Sequence, residues 1–133
     1  VRLGGRIFGT HTDGSWSLDS SDGFEKMESG VNGRAVDLAK LGMLVAEHGT
    51  LNGKQLVPAG WLDEPHTPVS APNGWADGYQ YFWWSRGEAK VASGRYGQVI
   101  YVVPEKKLVM VRFGLDTGGR AWPAVMEELA EKL

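Results

Sequence analysis

The amino-acid sequence predicts an α+β fold in which an antiparallel β-sheet meander is flanked by helices. Three observations support this. Apolar segments of strand length follow one another in the second half, short turns join them, and apolar residues recur at helical spacing in two other segments. At 133 residues the chain is one domain or part of one. We expect a single partial domain over 1–133, with a helix and loop region at 1–78 and a sheet with a C-terminal helix at 79–133.

The first half contains the pattern of one amphipathic helix. Residues 1–31 are polar and glycine-rich, which predicts a loop with one short strand near Arg6–Thr10. Asn32 is a suitable N-cap, apolar residues then recur near i, i+3, i+4 spacing, and Gly49 is a natural stop. The pattern therefore predicts a helix over 34–48.

Turn residues divide the segment that follows. Asn52-Gly53 favours the positive φ angles of a tight hairpin. Pro58 suits the first position of a short helix that would run through Glu64. Residues 65–78 contain three of the six prolines and are predicted to be loop.

Four short strands are predicted in the second half. The turn at 104–107 is the clearest, and its shortness makes the strands on either side antiparallel neighbours. Those two strands carry continuous apolar runs, which are typical of strands covered on both faces. The predicted strands are Tyr79–Ser85, Lys90–Ser93, Gln98–Val103 and Leu108–Phe113.

The end of the chain predicts a helix opened by Pro123. Its apolar residues form one stripe that can cover one face of the sheet. The helix at 34–48 remains for the other face, and because the loop content between the helices is high, we expect part of the cover to be missing. The stripe consists of Trp122, Val125, Met126, Leu129, Ala130 and Leu133.

Composition and charge exclude several classes of function. The formal net charge is −2, and no basic run offers the cluster of Lys and Arg that nucleic-acid binding needs. No apolar stretch approaches the roughly 20 residues of a membrane span. The absence of cysteine excludes disulfides and leaves the cellular compartment open. His11, His48 and His66 show no metal-ligand spacing, so we expect no metal and no cofactor.

The start of the chain and its high content of glycine and tryptophan lead to further predictions. The chain starts without Met and without the apolar core of a signal peptide, which indicates a chain that begins mid-protein. Its 19 glycines indicate many tight turns, and its 6 tryptophans suggest the walls of a pocket or a large interface.

Three stretches carry a family likeness through their amino-acid sequences and their order along the chain. The first is Trp16-Ser17-Leu18-Asp19 with Gly30 and Arg34-Ala35-Val36-Asp37-Leu38-Ala39-Lys40-Leu41-Gly42. The second is Leu51-Asn52-Gly53-Lys54-Gln55-Leu56-Val57-Pro58-Ala59-Gly60-Trp61. The third is Gly78-Tyr79-Gln80-Tyr81-Phe82-Trp83-Trp84 with Ala92-Ser93-Gly94-Arg95-Tyr96-Gly97-Gln98 and Tyr101-Val102-Val103-Pro104-Glu105. From about residue 16 to 133 the sequence resembles the C-terminal half of serine β-lactamase-fold hydrolases. That family includes class C β-lactamases, penicillin-binding-protein-like peptidases, esterases and amidases that cleave nylon oligomers.

The resemblance implies acyl transfer through an acyl-enzyme, with an ester, an amide or a peptide-like small molecule as substrate. The family combines a Ser-x-x-Lys motif, a Tyr-x-Asn motif and a third motif, commonly Lys-Thr-Gly, on an edge strand. No serine of this sequence is followed at the third place by Lys, and no tyrosine is followed at the second place by Asn. We therefore expect a hydrolase segment that is inactive alone, with its nucleophile on another polypeptide or on a deleted N-terminal part.

By resemblance, the third motif matches Ala92-Ser93-Gly94. Ala92 then stands where the family has a cation that recognises carboxylate substrates, which disfavours β-lactam turnover and favours an ester or amide. Ser93 is expected to hydrogen-bond the substrate, and Gly94 to let its backbone approach closely. The backbone N–H of Arg95 is expected to supply one of two oxyanion-hole donors.

Alternatives to this assignment stay open. A shifted register, with Arg95-Tyr96-Gly97 as the third motif, would restore a cation. Tyr96, Trp83 and Trp84 are candidates for a pocket wall, and at most one of the two tryptophans can line it because neighbours in a strand point to opposite faces. Turn residues and core tryptophans are the simpler interpretation. Ser93 acting as the nucleophile itself is a further alternative, for which the sequence shows no base.

The sequence also predicts a partner. Alone, Leu108–Phe113 would be a long apolar sheet edge, which is a template for pairing with another chain. We expect a homo-oligomer that is self-associated or strand-swapped, or else a complementing N-terminal chain, and no nucleic-acid or membrane partner. A function of a different class is a non-catalytic binding or interaction module derived from the same fold.

Overall fold

A six-stranded antiparallel sheet organises the protein and gives, with its helices, the α+β fold that the sequence predicts. The computed structural model describes residues 14–26, 29–64, 67–68 and 74–133, so the strand expected near Arg6–Thr10 lies outside the described residues. The helices are α1 (Ala35–Ala46), α2 (Ala59–Leu62) and α3 (Trp122–Lys132) within that part of the chain. Its strands are β1 (Ser15–Trp16), β2 (Val31–Asn32), β3 (Thr50–Leu51), β4 (Lys54–Gln55), β5 (Thr67–Pro68), β6 (Gly78–Gln80), β7 (Trp83–Arg86), β8 (Ala89–Gly94), β9 (Gln98–Val103) and β10 (Leu108–Arg112).

The large sheet is a meander of β6 to β10 with the two-residue β5 added beside β6. Every neighbouring pair is antiparallel, and β9 and β10 are joined by the short turn that the sequence predicts. Ala92 of β8 lies opposite Ile100 of β9, and Met110 of β10 lies opposite Tyr101. Among the described residues, β10 is the outermost strand on one side of the sheet and β5 on the other.

Both faces of β9 are covered, as its continuous apolar run predicts. Val99, Tyr101 and Val103 belong to a buried cluster that includes Met126 and Ala130 of α3. Ile100 and Val102 belong to a second buried cluster, on the opposite face, that includes Val45 and Ala46 of α1. The two-sided burial of β9 is the core of the protein, and α1 and α3 are its two covers.

Helix α1 starts later than the sequence predicts, because Arg34 and not Asn32 holds the N-cap position. Asn32 belongs to β2, where it pairs with Ser15, and its amide donates to the carbonyl oxygen of Gly30 at 2.9 Å. The helix also ends earlier than the predicted residue 48, because Ala46 is its last residue and Glu47 is the C-cap. His48, at φ 49°, takes the left-handed position expected for Gly49. Gly49 follows, and its N–H donates to the carbonyl oxygen of Leu44 at 2.7 Å, which closes the last turn.

The hairpin predicted at Asn52-Gly53 is confirmed, since both residues have positive φ between β3 and β4. A second tight turn contradicts the single strand predicted over Tyr79–Ser85. Tyr81 and Phe82, at φ 47° and 70°, reverse the chain between β6 and β7.

Contacts outside the hairpin explain a turn that its residue types do not favour. Non-glycine residues rarely adopt positive φ. The ring of Tyr81 stacks on Trp61 of α2, with 4.3 Å between the ring centroids, and its hydroxyl donates to the Glu64 carboxylate at 2.8 Å. That hydrogen bond also raises the pKa of the Tyr81 hydroxyl.

Other predicted boundaries need correction. The polar residues before 31 contain β1, which pairs with β2, and the loop predicted at 65–78 contains β5 and the start of β6. Helix α2 ends at Leu62 rather than Glu64, and the Asp63 carboxylate accepts from the ring of His48 at 2.7 Å. β8 extends one residue beyond the prediction at each end, and β10 ends at Arg112 rather than Phe113.

The stripe predicted on the C-terminal helix is only partly buried. Helix α3 begins at Trp122, with Pro123 as its second residue. Met126 and Ala130 are buried against the sheet, whereas Leu129 and Leu133 are exposed. Helix α3 therefore contacts the sheet with only part of the predicted stripe. No helix in the described part of the chain is long and apolar enough to cross a bilayer.

A glycine sets how closely α1 approaches the sheet. A Cβ added at Gly42 would lie 2.4 Å from Val109 Cγ1, so Gly42→Ala forces α1 away from β10. Overpacking of this kind costs about 1–3 kcal/mol, and the better helix propensity of alanine offsets at most about 1 kcal/mol. We expect a net loss of about 1–2 kcal/mol in the free energy of unfolding, measured by urea titration.

The matched control is Gly60→Ala in α2, where an added Cβ meets nothing within 4 Å. Its free energy of unfolding should stay unchanged or rise by up to about 1 kcal/mol. Equal effects of the two substitutions would contradict the close packing of α1 on β10.

Candidate functional site

A cavity of about 870 Å³ opens at the end of the sheet where β8 ends and β9 begins. Its walls come from β2 and the first turn of α1, from the β6–β7 hairpin, from the β8–β9 end of the sheet and from the segment after β10. They consist of Val31, Asn32, Gly33, Leu38, Tyr79, Phe82, Trp84, Ala92, Ser93, Gly94, Gln98, Val99, Ile100, Phe113, Gly114 and Leu115. A volume of this size is in the range of small-molecule sites.

The β8–β9 turn carries the residues that the resemblance assigns to the third motif. Ala92, Ser93 and Gly94 line the cavity, and Ser93 and Gly94 are exposed at the end of β8. Arg95 follows directly and begins a 3₁₀ turn over Arg95–Gly97, after which Gln98 pairs with Gly94. The structure thus brings the four predicted residues together at one place, while their roles in binding and catalysis stay predictions.

Of the three aromatic residues that are candidates for the pocket wall, only Trp84 lines the cavity. Trp84 lines the cavity and tilts against Trp75 and Tyr79, at 5.2 and 4.7 Å between ring centroids. Trp83 instead packs with the cluster under α1 and does not line the cavity. Tyr96, at φ 63°, is exposed outside the lining, with the Arg95 guanidinium 5.4 Å from its ring centroid. In the shifted register, too, the Arg95 side chain lies outside the described cavity walls.

The cavity walls carry no charged side chain among the described residues, since the lining contains no Asp, Glu, His, Lys or Arg. Lys90, two residues before Ala92 on β8, does not line the cavity. Its ammonium group donates to the carbonyl oxygen of Leu62, beneath α2. Burial lowers the pKa of Lys90, and the nearby Asp63 opposes that shift.

Arg112 holds the β8–β9 turn in place, although nothing in its sequence context suggests this. Its guanidinium donates to the carbonyl oxygens of Gly97 at 2.7 Å, of Tyr96 at 3.2 Å and of Asp116 at 2.9 Å. It also lies over the ring of Trp122, 4.0 Å from the centroid. One cation therefore connects the turn, the segment after β10 and the start of α3.

Two further contacts bind the turn to the same segment. The Gln98 side chain donates to the carbonyl oxygen of Gly114 at 2.5 Å and accepts from its N–H at 3.0 Å. Gly97 has φ +74°, and a Cβ there would lie 2.7 Å from Trp122 and 2.8 Å from Arg112. The Gly-rich spacing around 94–97 is the one signal in the sequence that could have indicated this crowded turn.

The structure gives no metal site in its described residues, where no group of three or more His, Cys, Asp or Glu could hold an ion. The His48 ring lies 2.7 Å from the Asp63 carboxylate, and neither residue lines the cavity. His11 and His66 lie outside the described residues.

Replacement of Arg112 by lysine should loosen the turn. A lysine cannot reproduce the planar fork that reaches three carbonyl oxygens and stacks on an indole. We expect Arg112→Lys to lower the free energy of unfolding by about 1–2 kcal/mol and to speed amide exchange at Gly97 and Gln98.

The control for this substitution is Arg120→Lys, which changes an exposed arginine and should alter stability by less than about 0.5 kcal/mol. Unchanged amide exchange in the Arg112 variant would show that the guanidinium does not hold the turn.

Comparison with known proteins relates this arrangement to one type of fold. No protein-family model and no curated protein sequence matches the chain. Among solved structures, it is similar to the "Putative 6-aminohexanoate-dimer hydrolase from Bacillus anthracis", with a TM-score of 0.71 and 24% sequence identity. The match covers 94% of this chain and 34% of that chain, so the protein spans about a third of that hydrolase. This likeness shows that the chain has an α+β fold of the β-lactamase-like type.

Proposed function

We propose that the chain forms the substrate-facing wall of a serine hydrolase that cleaves an ester or an amide by acyl transfer. The observation that carries the proposal is the position of the β8–β9 turn, where Ser93 and Gly94 line the cavity and Arg95 follows. The similarity in fold to a 6-aminohexanoate-dimer hydrolase supports it. The nucleophile and its base would come from outside these 133 residues, because no serine here is followed at the third place by lysine.

The chemistry assigns a distinct task to each residue of the turn. When a serine oxygen attacks the substrate carbonyl carbon, the carbonyl oxygen becomes an oxyanion, and the Arg95 N–H would donate to it. The Ser93 hydroxyl would hydrogen-bond the substrate, and Gly94 would leave room for it. The intermediate then expels the alcohol or amine, which takes up the proton of the serine, and water releases the acid from the acyl-enzyme.

A second candidate is a non-catalytic binding module. It is favoured by one observation, namely that the walls of the cavity are present in this chain without a Ser-x-x-Lys pair. Such a module would bind the same class of ligand without turnover.

Gly94 allows a direct test, because its backbone is extended at φ −115° and ψ 174° and an added Cβ would make only an ordinary contact with Gln98 at 3.4 Å. Gly94→Ala should therefore fold normally while it obstructs the substrate. The chain is to be combined with a polypeptide that carries a Ser-x-x-Lys pair, beginning with the stretch encoded immediately upstream of Val1. We expect hydrolysis of p-nitrophenyl acetate, and a loss of about tenfold to a hundredfold in kcat/KM for Gly94→Ala, since small displacements of the substrate are costly.

Controls separate this role from stability and from a nucleophile within the chain. Gly60→Ala should retain full activity, and the melting temperature of Gly94→Ala should equal that of the unchanged protein. The chain alone should give no adduct with a serine-reactive fluorophosphonate by intact mass. Labelling of Ser93 would overturn the proposal, whereas ligand binding without any turnover in the combined sample would favour the non-catalytic module.

We also propose that the outer edge of β10 pairs with a strand of another polypeptide. A second copy of this chain is the simplest such partner. β10 is half-buried and apolar from Leu108 to Val111, and its outer edge has no neighbouring strand among the described residues. Exposed backbone donors and acceptors on such an edge favour pairing with another strand.

A cysteine in the middle of β10 can report such pairing, because the chain has no cysteine of its own. If two copies of β10 overlap fully and antiparallel, residue 110 lies beside its copy with the Cα atoms about 4.5–5.5 Å apart. This is within the range of about 4.4–6.8 Å that a disulfide spans. Met110→Cys should therefore form a disulfide-linked dimer on oxidation.

Glu128→Cys, on the exposed side of α3, is the matched control and should remain monomeric. A monomer by size-exclusion chromatography with light scattering at micromolar concentration, without crosslinking at position 110, would exclude the second copy.

A further inference from the structure

We infer that the cavity selects a neutral, largely apolar ligand with an ester or amide carbonyl and discriminates against the same ligand when it carries a carboxylate. This inference rests on the proposed function, because it names the substrate class of the same site. Its basis is the combination of walls without charge, an aromatic and aliphatic rim, and a few uncharged polar groups that include the hydroxyls of Ser93 and Tyr79.

The charge of the walls decides what can enter. The described lining contains no Asp, Glu, His, Lys or Arg. A carboxylate that leaves water for these walls loses its hydration and gains no cationic partner, and this cost is large compared with that of an uncharged group. The closest lysine along β8, Lys90, is directed to the carbonyl oxygen of Leu62 instead. A neutral ligand does not incur this cost.

The rim of the cavity is apolar and faces water. Leu115 is 95% exposed and Phe82 is 66% exposed, and both line the cavity together with Phe113 and Trp84. An apolar ligand removes these side chains from water, and the free energy gained is proportional to the apolar area that is covered. The rim therefore favours an alkyl or aryl group on the ligand.

The polar groups of the cavity are few, and most have internal partners. The Asn32 amide donates to Gly30, and the Gln98 amide is paired with Gly114 in both directions. The hydroxyls of Ser93 and Tyr79 have no hydrogen-bond partner among the described residues, and Ser93 lies beside the exposed Gly94. Two uncharged hydroxyls suit a carbonyl group, which would fix the orientation of an otherwise apolar ligand.

Two probe molecules that differ only in a terminal carboxylate test this inference. N-hexylacetamide and 6-acetamidohexanoate share the amide and five methylene groups, and one ends in a methyl group where the other ends in a carboxylate. Binding is measured on the full chain from the amide shifts of Ser93, Gly94 and Leu115 in ¹H–¹⁵N spectra. We expect N-hexylacetamide to bind at least about tenfold more tightly, which corresponds to about 1.4 kcal/mol.

Paired variants test whether the absence of charge is the cause. Leu115→Lys places a cation at the rim on a fully exposed position and should reduce or reverse the preference for the neutral probe. Leu133→Lys adds the same charge at an exposed position of the chain terminus, outside the cavity lining, and should leave the preference unchanged.

The outcomes separate this inference from the proposed function. Equal or tighter binding of 6-acetamidohexanoate to the unchanged chain would overturn the inference and leave the acyl-transfer proposal standing. If neither probe shifts the amides of Ser93 and Gly94, this chain alone does not bind such a ligand, and both the inference and the non-catalytic module fail. The acyl-transfer proposal is decided separately, by the activity of the combined sample and its loss in Gly94→Ala.

Discussion

The burial of β9 on both faces is the constraint on which the rest of the structure depends. Val99 and Val102, on opposite faces, are 2% and 0% exposed. Burial of such a side chain contributes about 1.5–3 kcal/mol, so β9 is stable only while α1 and α3 both cover it. The β8–β9 turn stands where this covered region ends. The backbone at the cavity wall is therefore attached directly to the most buried strand of the sheet.

The parts of the fold that the sequence predicts are those with a local cause. The continuous apolar run of β9 and the Asn52-Gly53 hairpin each follow from residue types within a few positions. The failures have non-local causes. The Tyr81-Phe82 turn depends on Trp61 and Glu64, which lie far away in the chain, and the position of Asn32 depends on a partner strand at Ser15.

The candidate site, too, has residues that the sequence indicates and residues that only the structure shows. The stretch from Ala92 to Arg95 could be chosen from sequence because it is compact and carries the family likeness. Arg112 could not be chosen, since its role depends on three carbonyl oxygens that only folding brings together. The uncharged walls also emerge only in the structure, because four separate segments form them. The turn and the uncharged cavity beside it are therefore features of the folded chain, and the sequence alone indicates only the first of them.

Native-state hydrogen exchange tests the central claim most directly, namely that these 133 residues alone form a sheet whose most buried strand is β9. The account predicts that the amides of Val91, Val99 and Val102 exchange only through global unfolding, with the same free energy as denaturant titration gives. Exchange of these amides at a free energy well below that of global unfolding would contradict it, because the strand taken as the core would then open on its own.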